Sequence, residues 1–388
     1  MSNNKYIVKS LAPWMMDELI AFSGLTEFDL ILLRKPDEFY KENLKQLELN
    51  GVNIYINPFS YMFFVKKLII ILKFAIGNIL KFDFNYNAVI GLKSMFWFLK
   101  LDLNHFSKES NIHAQFATQS AVISLLVKKF YSDKPYMSFT FHAYDIYGSN
   151  NWFKLLVENC HKAYSISNFN IDYVHKKYIN SDKIVLSRLG VFRNEIKKNR
   201  VKSTAVFTIG LMSWFIEKKG INYLLEAIKI LKGKGFENIK LRLAGDGPLK
   251  EKYLQYIKDN NLNTLVDYIG KIKGKEKDDF YNSLDAFILP SVKLKNDQDG
   301  IPVVLMEAIA YSLPIISTNI SGISEICIND FNGHLISERN VDDLVDAIIY
   351  FYRNMDKRKE YGKNSLTVSN EYDIILNSKI KVKTLGWM

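Results

Sequence analysis

Lys240-Leu-Arg-Leu-Ala-Gly-Asp-Gly-Pro-Leu249 is the stretch on which the fold of this chain turns. Lys240 to Ala244 alternates apolar and polar side chains and reads as a strand. Gly245-Asp-Gly-Pro248 stops it, and Leu249 to Asn260 follows as a helix. The same strand, turn and helix recur on both sides. Upstream, the strand Ala205 to Gly210 leads to Ile221–Lys232, where Ile221, Leu224, Leu225, Ile228 and Leu231 recur at helical spacing. Downstream, strands at Val266–Ile269, Ala286–Leu289 and Pro314–Ser317 alternate with helices at Lys277–Ser283, Val303–Tyr311 and Val341–Arg353. Alternation of this kind predicts a parallel sheet covered by helices.

The first half repeats the pattern less regularly. Lys5–Val8, Asp29–Leu33, Val52–Ile56 and Tyr136–Phe141 read as strands, with shorter candidates at Ala88–Ile90 and Ile112–Ala114. Ser120–Lys129 reads as a helix. A chain of 388 residues exceeds one ordinary core. The expected fold class is therefore α/β, with two doubly wound Rossmann-like domains. Residues 1–195 would form the N-terminal domain and 196–370 the C-terminal one, with 371–388 packing back on the first. The polar, charged stretch Asn194 to Ser203 is the expected linker.

Composition narrows the class. The chain is 48% hydrophobic and 14% aromatic, which excludes global disorder. Cys160 and Cys327 make neither a metal spacing nor a disulfide framework. The net charge of +11 is concentrated in residues 1–200, with 26 Lys and Arg against 17 Asp and Glu. Nucleic acid, an anionic membrane or an anionic substrate would each suit that excess. With no zinc-finger spacing, RNP-like motif or Arg-rich tail, nucleic acid is the weakest fit. The start, Met1-Ser-Asn-Asn-Lys5, is polar, so no secretory signal is expected. Tyr61–Leu80 is apolar but interrupted by Lys66, Lys67 and Lys73. It reads as a basic amphipathic helix that touches a membrane, or as a domain helix with lysines at its solvent edge.

Four clusters carry chemistry. Asp299-Gly-Ile-Pro-Val-Val-Leu-Met-Glu307 frames a turn with two acids and opens an apolar helix. The helix start offers unpaired N–H groups to an anion, and Glu307 lies one turn in, where a carboxylate can hold sugar hydroxyls. An ordinary capped helix would carry the same residues. Gly245 and Gly247 allow close backbone approach, to a ligand or simply within a turn. Lys219, in Glu217-Lys-Lys-Gly220, lies where it can reach a diphosphate at the sheet's carboxyl edge, or belongs to a solvated charge cluster. His142 ends the strand 136–141, where it can orient a sugar or exchange a proton, with Asp145 holding its second nitrogen. It can equally cap the following turn. His113 also ends a strand but lacks an adjacent acid.

These motifs, in this order, resemble glycosyltransferase family 4, group 1 transferases of the GT-B fold, with two Rossmann-like domains facing across a cleft. The resemblance rests on Glu217–Gly220, Ala244–Leu249, Leu289-Pro-Ser291, Asp299–Ala308, Ser321-Gly-Ile-Ser-Glu325 and Asn332-Gly333. The first half resembles the colanic-acid and exopolysaccharide branch through Ile112-His-Ala-Gln-Phe-Ala117 and Phe139–Asp145. The resemblance implies a role for each matched position. Glu307 would bind the donor ribose, and Asp299 would replace the first glutamate of the E-x7-E motif. Gly300, Ile301, Pro302 and Val303 would present backbone to the sugar and diphosphate. Lys219 would neutralise the leaving diphosphate, Ile269 would hold the base, and His142 would be the active-site histidine. The family's Gly-Arg pair is Ser213-Trp214 here. Loss of that phosphate cation would cost a few kcal/mol unless Lys218 or Arg188 replaces it.

The expected activity is retaining transfer from a nucleotide-diphosphate sugar to a glycan or lipid-linked acceptor, in bacterial surface or exopolysaccharide synthesis. No cofactor or metal is expected, and the location would be cytoplasmic, peripheral to the inner face of the membrane. The alternatives are another GT-B reaction such as phosphorolysis, a non-catalytic subunit that binds nucleotide-sugar or a partner transferase, and a membrane-binding scaffold. Donor base, donor sugar and acceptor are not encoded in any of these motifs.

Overall fold

The computed structural model describes residues 2–78, 86–148, 150, 152–193 and 206–388. The chain divides into two compact units, Met1–Leu189 with Ile374–Met388, and Gly190–Asp373. The expected linker, Asn194 to Ser203, lies outside the described residues, as do Ala205 at the start of one expected strand and Ile79-Leu80 at the end of the expected amphipathic helix.

The first unit holds seven strands: β1 (Asn4–Val8), β2 (Asp29–Leu32), β3 (Asn53–Ile56), β4 (Asn111–Gln115), β5 (Tyr136–Phe141), β6 (Lys162–Ser165) and β7 (Ile184–Leu186). They pair in the order β3-β2-β1-β4-β5-β6-β7, all parallel. Strands buried on both faces need near-continuous apolar sequence, and Tyr6-Ile-Val8 and Leu30-Ile-Leu32 supply it. One face packs on the helix Gln119–Phe130, of which only Lys129 is not buried. The other packs on Pro13–Ser23 and on the chain's last helix, Ile374–Leu385, through Met15, Leu19, Phe22, Val382, Leu385 and Trp387.

Two expectations for this unit need correction, and two strands need adding. Ala88–Ile90 is not a strand but lies in the helix Tyr86–Lys100. Ile90, Ser94 and Phe98 are buried four residues apart, a helical period that a three-residue window hides. β6 and β7 are strands that the sequence pattern does not reveal, being short and polar in part. The lysines of Phe64–Asn78 do not all edge the solvent. Lys67 is fully buried and donates to the carbonyls of Ser60, Leu99 and Leu101 at 3.0, 3.1 and 2.6 Å. It thereby satisfies carbonyls at the end of the helix Tyr86–Lys100.

The second unit has six strands: β8 (Phe207–Trp214), β9 (Ile239–Asp246), β10 (Val266–Gly270), β11 (Ala286–Leu289), β12 (Ile315–Thr318) and β13 (Gly333–Ile336). Their order is β10-β9-β8-β11-β12-β13, again all parallel. Strand order reverses between β8 and β11, and between β1 and β4 in the first unit. Open parallel sheets bind ligands beside the strands' carboxyl ends at such a reversal.

Candidate functional site

In the second unit the carboxyl ends of β8 and β11 meet at the reversal. After β8 the chain makes a tight turn, Glu217–Lys219, and Gly220 opens the helix Ile221–Gly233 with φ +66°. A side chain at Gly220 would place Cβ 1.8 Å from the Pro290 carbonyl oxygen, so the turn and the segment after β11 lie backbone to backbone. The Val292 N–H donates to the Lys218 carbonyl at 2.8 Å and stitches them together.

That packing sets two lysines against two acids. Lys219 Nζ donates to both oxygens of Asp299, at 2.8 and 2.9 Å, and Lys218 Nζ to Asp297 at 2.9 Å, with Asp299 3.7 Å away. The Ser291 hydroxyl gives Asp299 a further hydrogen bond of 2.6 Å. Burial pushes the Asp299 carboxyl up, but Lys219, Lys218 and the Ser291 hydroxyl together hold it below its ordinary value. Lys219 and Asp299 therefore form one unit, whereas the sequence alone presents them as two separate roles.

Gly300 to Pro302 leads from Asp299 into the helix Val303–Ala310, whose first turn no side chain caps. Glu307 lies one turn in. Its oxygens accept from Lys277 Nζ at 2.8 Å and the Tyr281 hydroxyl at 2.6 Å. Burial, then the Glu307 charge, pushes the Tyr281 phenol well up, so it stays a donor. Tyr311 stacks on Tyr281 at 4.9 Å and donates to Asp278. Lys277, Tyr281, Ser291 and Asp297 are site residues that sequence reasoning misses. Lys277 and Tyr281, four apart on the helix Lys275–Asn282, share a face, and that spacing is the available signal.

The remaining candidates are placed as follows. Gly247 has φ +148°, and a Cβ there would lie 2.6 Å from the Phe215 nitrogen, so its smallness serves the packing of the β9 turn on the end of β8. Ile269 is the bulged residue of the edge strand β10, unpaired between Tyr268 and Gly270. Trp214, at the tip of β8, is 55% exposed, and the Ser213 hydroxyl is buried without a partner. Of the two cations offered in place of the family arginine, Lys218 belongs to the cluster, whereas Arg188 belongs to the first unit.

In the first unit His142 follows β5 and precedes the short helix Ala143–Tyr147. Its ring packs against Trp14 and Phe116, with centroids 4.8 and 4.9 Å away. Its Nε2 is 3.0 Å from the side-chain nitrogen position of Gln115. Burial first, then the charge of Lys381, lowers its pKa to about 3, so the ring is neutral. Asp145 does not hold the second ring nitrogen, contrary to the expectation from sequence. Its carboxylate instead accepts the His142 backbone N–H at 2.8 Å, the reciprocal bond of a helix start. His113 is buried, with its ring nitrogens 2.9 Å from the Ser138 and 3.1 Å from the Thr140 hydroxyl, which makes it part of the core.

Comparison with known proteins bears on both units. Residues 192–367 match the family of group 1 glycosyl transferases. An uncharacterized glycosyltransferase of Methanocaldococcus jannaschii, MJ1178, is 26% identical over 269 residues, 67% of this chain and 70% of that protein. The putative colanic acid biosynthesis glycosyltransferase WcaL of Escherichia coli is 33% identical over 172 residues. That match spans 44% of this chain and 42% of WcaL, less than half of either. Among solved structures, HepE of Anabaena in complex with UDP and glucose superposes with TM-score 0.72 over 100% of both chains, at 14% identity. This last likeness concerns the fold. The sheet orders, the switch-point cluster and these matches lead to one assignment: the chain has a fold of the GT-B type, built of two Rossmann-like domains, and its residues 192–367 are similar to the group 1 glycosyl transferases.

Proposed function

We propose that this chain is a retaining glycosyltransferase that moves a sugar from a nucleotide-diphosphate donor to a glycan or lipid-linked acceptor in bacterial surface-polysaccharide synthesis. The observation that carries this reading is the pair of clusters beside the β8/β11 reversal. Lys218 and Lys219 are held at the sheet edge by Asp297 and Asp299, and Glu307 is held by Lys277 and Tyr281. Cations fixed beforehand where a diphosphate gathers charge stabilise the transition state without reorganisation. A carboxylate whose two oxygens each keep a free lone pair can take a ribose diol. Relatives named for colanic acid, amylovoran and capsular polysaccharide synthesis favour the polysaccharide setting. HepE, solved with UDP-glucose, makes UDP-sugars the first donors to try.

The test is a calorimetric and turnover screen of UDP-, GDP- and ADP-sugars against wild type, Lys219→Ala and Glu307→Ala, with and without EDTA. One donor class should bind and release its diphosphate, EDTA should make no difference, and both variants should fail. Donor binding with no turnover on any lipid-linked acceptor would favour a non-catalytic donor-binding subunit, a reading that the Ser213-Trp214 replacement motivates.

Contact with an anionic membrane is part of the proposal. Val65, Leu68, Leu72 and Ile76 of Phe64–Asn78 and Leu92 and Phe96 of Tyr86–Lys100 are exposed. Lys66, Lys73, Lys93 and Lys100 lie on the same two helices. Among the described residues no helix is long and apolar enough to cross a membrane. An apolar face edged by lysines suits binding in the interface plane. Cosedimentation with phosphatidylglycerol vesicles should be lost in Leu68→Asp/Leu72→Asp and weakened by salt.

A further inference from the structure

A buried chain of polar side chains runs through the first unit and ends on His142. Lys381 Nζ, from the last helix, donates to Glu18 Oε1 at 2.6 Å. Glu18 Oε2 is 2.8 Å from the Tyr6 hydroxyl. The Gln115 side-chain amide has one end 3.0 Å from that hydroxyl and the other 3.0 Å from His142 Nε2. All five residues are buried, so each polar atom needs a partner within the chain.

Counting protons gives the chain a direction. Lys381 can only donate, and an ionised Glu18 can only accept. The Tyr6 hydroxyl has one hydrogen, which goes to the carboxylate because a charge-assisted bond is the stronger one. Its oxygen is then an acceptor towards Gln115, so Gln115 must turn its NH2 to Tyr6 and its carbonyl to His142. Amide ends are alike in shape, and hydrogen bonding is what assigns them. A carbonyl facing Nε2 requires Nε2 to carry the ring hydrogen. The opposite amide orientation would leave the phenol oxygen and the Glu18 carboxylate, or the phenol and the amide oxygen, in contact without a proton between them.

We infer that Lys381, Glu18, Tyr6 and Gln115 form a positioning relay that fixes His142 as the Nε2–H tautomer, with Nδ1 as the acceptor of the ring. The inference rests on the reading of His142 as a site residue only for its functional consequence, not for the tautomer. Glu18→Gln reverses the relay. Its carbonyl must face Lys381, so its NH2 donates to Tyr6. Tyr6 then donates to Gln115, whose NH2 faces His142 Nε2 and selects the Nδ1–H form.

The experiment is NMR of the full chain labelled with 15N-histidine, with His142 assigned among the six histidines by His142→Asn. Two-bond proton–nitrogen correlations should report Nε2–H in wild type and Nδ1–H in Glu18→Gln. Nδ1–H in wild type, or the same tautomer in both proteins, would overturn the relay. If Glu18→Gln does not fold, Tyr6→Phe replaces it. With the phenol gone Gln115 loses its orientation, and both tautomers should appear; a single unchanged Nε2–H form would overturn the relay as well. Turnover in the reversed variant should fall about tenfold in kcat with KM for the donor unchanged. Unchanged kcat with a switched tautomer would count against His142 as a site residue and leave the relay standing.

Discussion

At the scale of residues, the site is a matter of which charge holds which. Lys219 and Asp299 are mutual partners, so their substitutions should differ in kind. On the proposed function, Lys219→Ala takes away the cation that would face the leaving diphosphate and should lower kcat about 100-fold. Asp299→Asn keeps the cation but loosens its position, and leaves two lysines short of one acid. It should cost about 2 kcal/mol of stability and weaken turnover less than Lys219→Ala does. Urea denaturation alongside steady-state kinetics would check the pair. If both variants lose activity and stability equally, the division of roles is wrong. His142 and Asp145 make a second paired case, through protons. Burial lowers the histidine to about 3 and raises the aspartate to about 7. Unfolded, they would titrate near 6.5 and 3.8. Between about pH 4 and 6.5 each state then holds one proton on the pair, on Asp145 when folded and on His142 when unfolded. Their joint contribution to stability should be flat there. Asp145→Asn leaves the depressed histidine alone. Its contribution is full above pH 6.5 and is lost as pH falls, with a slope up to about 1.4 kcal/mol per pH unit relative to wild type. His142→Asn leaves the raised aspartate alone, and stability should then be lost as pH rises towards 7. Urea midpoints from pH 4 to 8 would show the two opposite slopes, and parallel curves would refute the coupling.

At the scale of elements, the turn Glu217–Gly220 is where local conformation and long-range packing make the same demand. Gly220 needs a left-handed backbone and has no room for Cβ beside Pro290. Gly220→Ala should cost about 2 kcal/mol or more and displace Lys218 and Lys219, so donor affinity should drop although no donor contact is removed. Thermal unfolding and calorimetry with the donor identified by the screen would measure both effects, and a stable variant with full affinity would show that the turn tolerates the shift. This element also shows what is legible in the sequence. Glycines, prolines and helical spacing punctuate residues 205–353 so regularly that nearly every strand and helix there can be read, because each buries a continuous apolar run or one periodic face. The Asp299–Glu307 motif is visible for the same reason: its spacing is local. The partners of those acids are not, since Lys277, Tyr281, Ser291 and Lys218 come from other elements and meet them only through the sheet order. The helix Tyr86–Lys100 reads as a strand when only three of its residues are weighed. Lys67 misleads because a lysine in an apolar helix normally reaches for solvent, and only the fold supplies the three carbonyls that let it turn inward.

At the scale of the whole molecule, each unit has its own sheet and core, and the five tryptophans are divided unequally between them. Trp14, Trp97, Trp152 and Trp387 belong to the first unit, whereas Trp214 is in the second. The last helix is part of the first unit's core. Trp387 stacks on Phe28 at 6.0 Å, its carbonyl accepts from the Thr26 hydroxyl at 2.6 Å, and Lys381 neutralises the buried Glu18. Trp387→Ala should therefore destabilise the first unit by about 3 kcal/mol, the usual cost of deleting a buried aromatic ring. Domains with separate cores unfold as separate cooperative units unless a large interface couples them. Urea unfolding should accordingly show two transitions. In Trp387→Ala the one reported by Trp14, Trp97 and Trp152 should move to lower urea. The other, followed by Trp214 in a variant whose remaining tryptophans are phenylalanine, should stay in place and move to higher urea when the donor nucleotide is added. A single transition that shifts as a whole in Trp387→Ala would mean instead that the second unit depends on the C-terminal helix for its own stability.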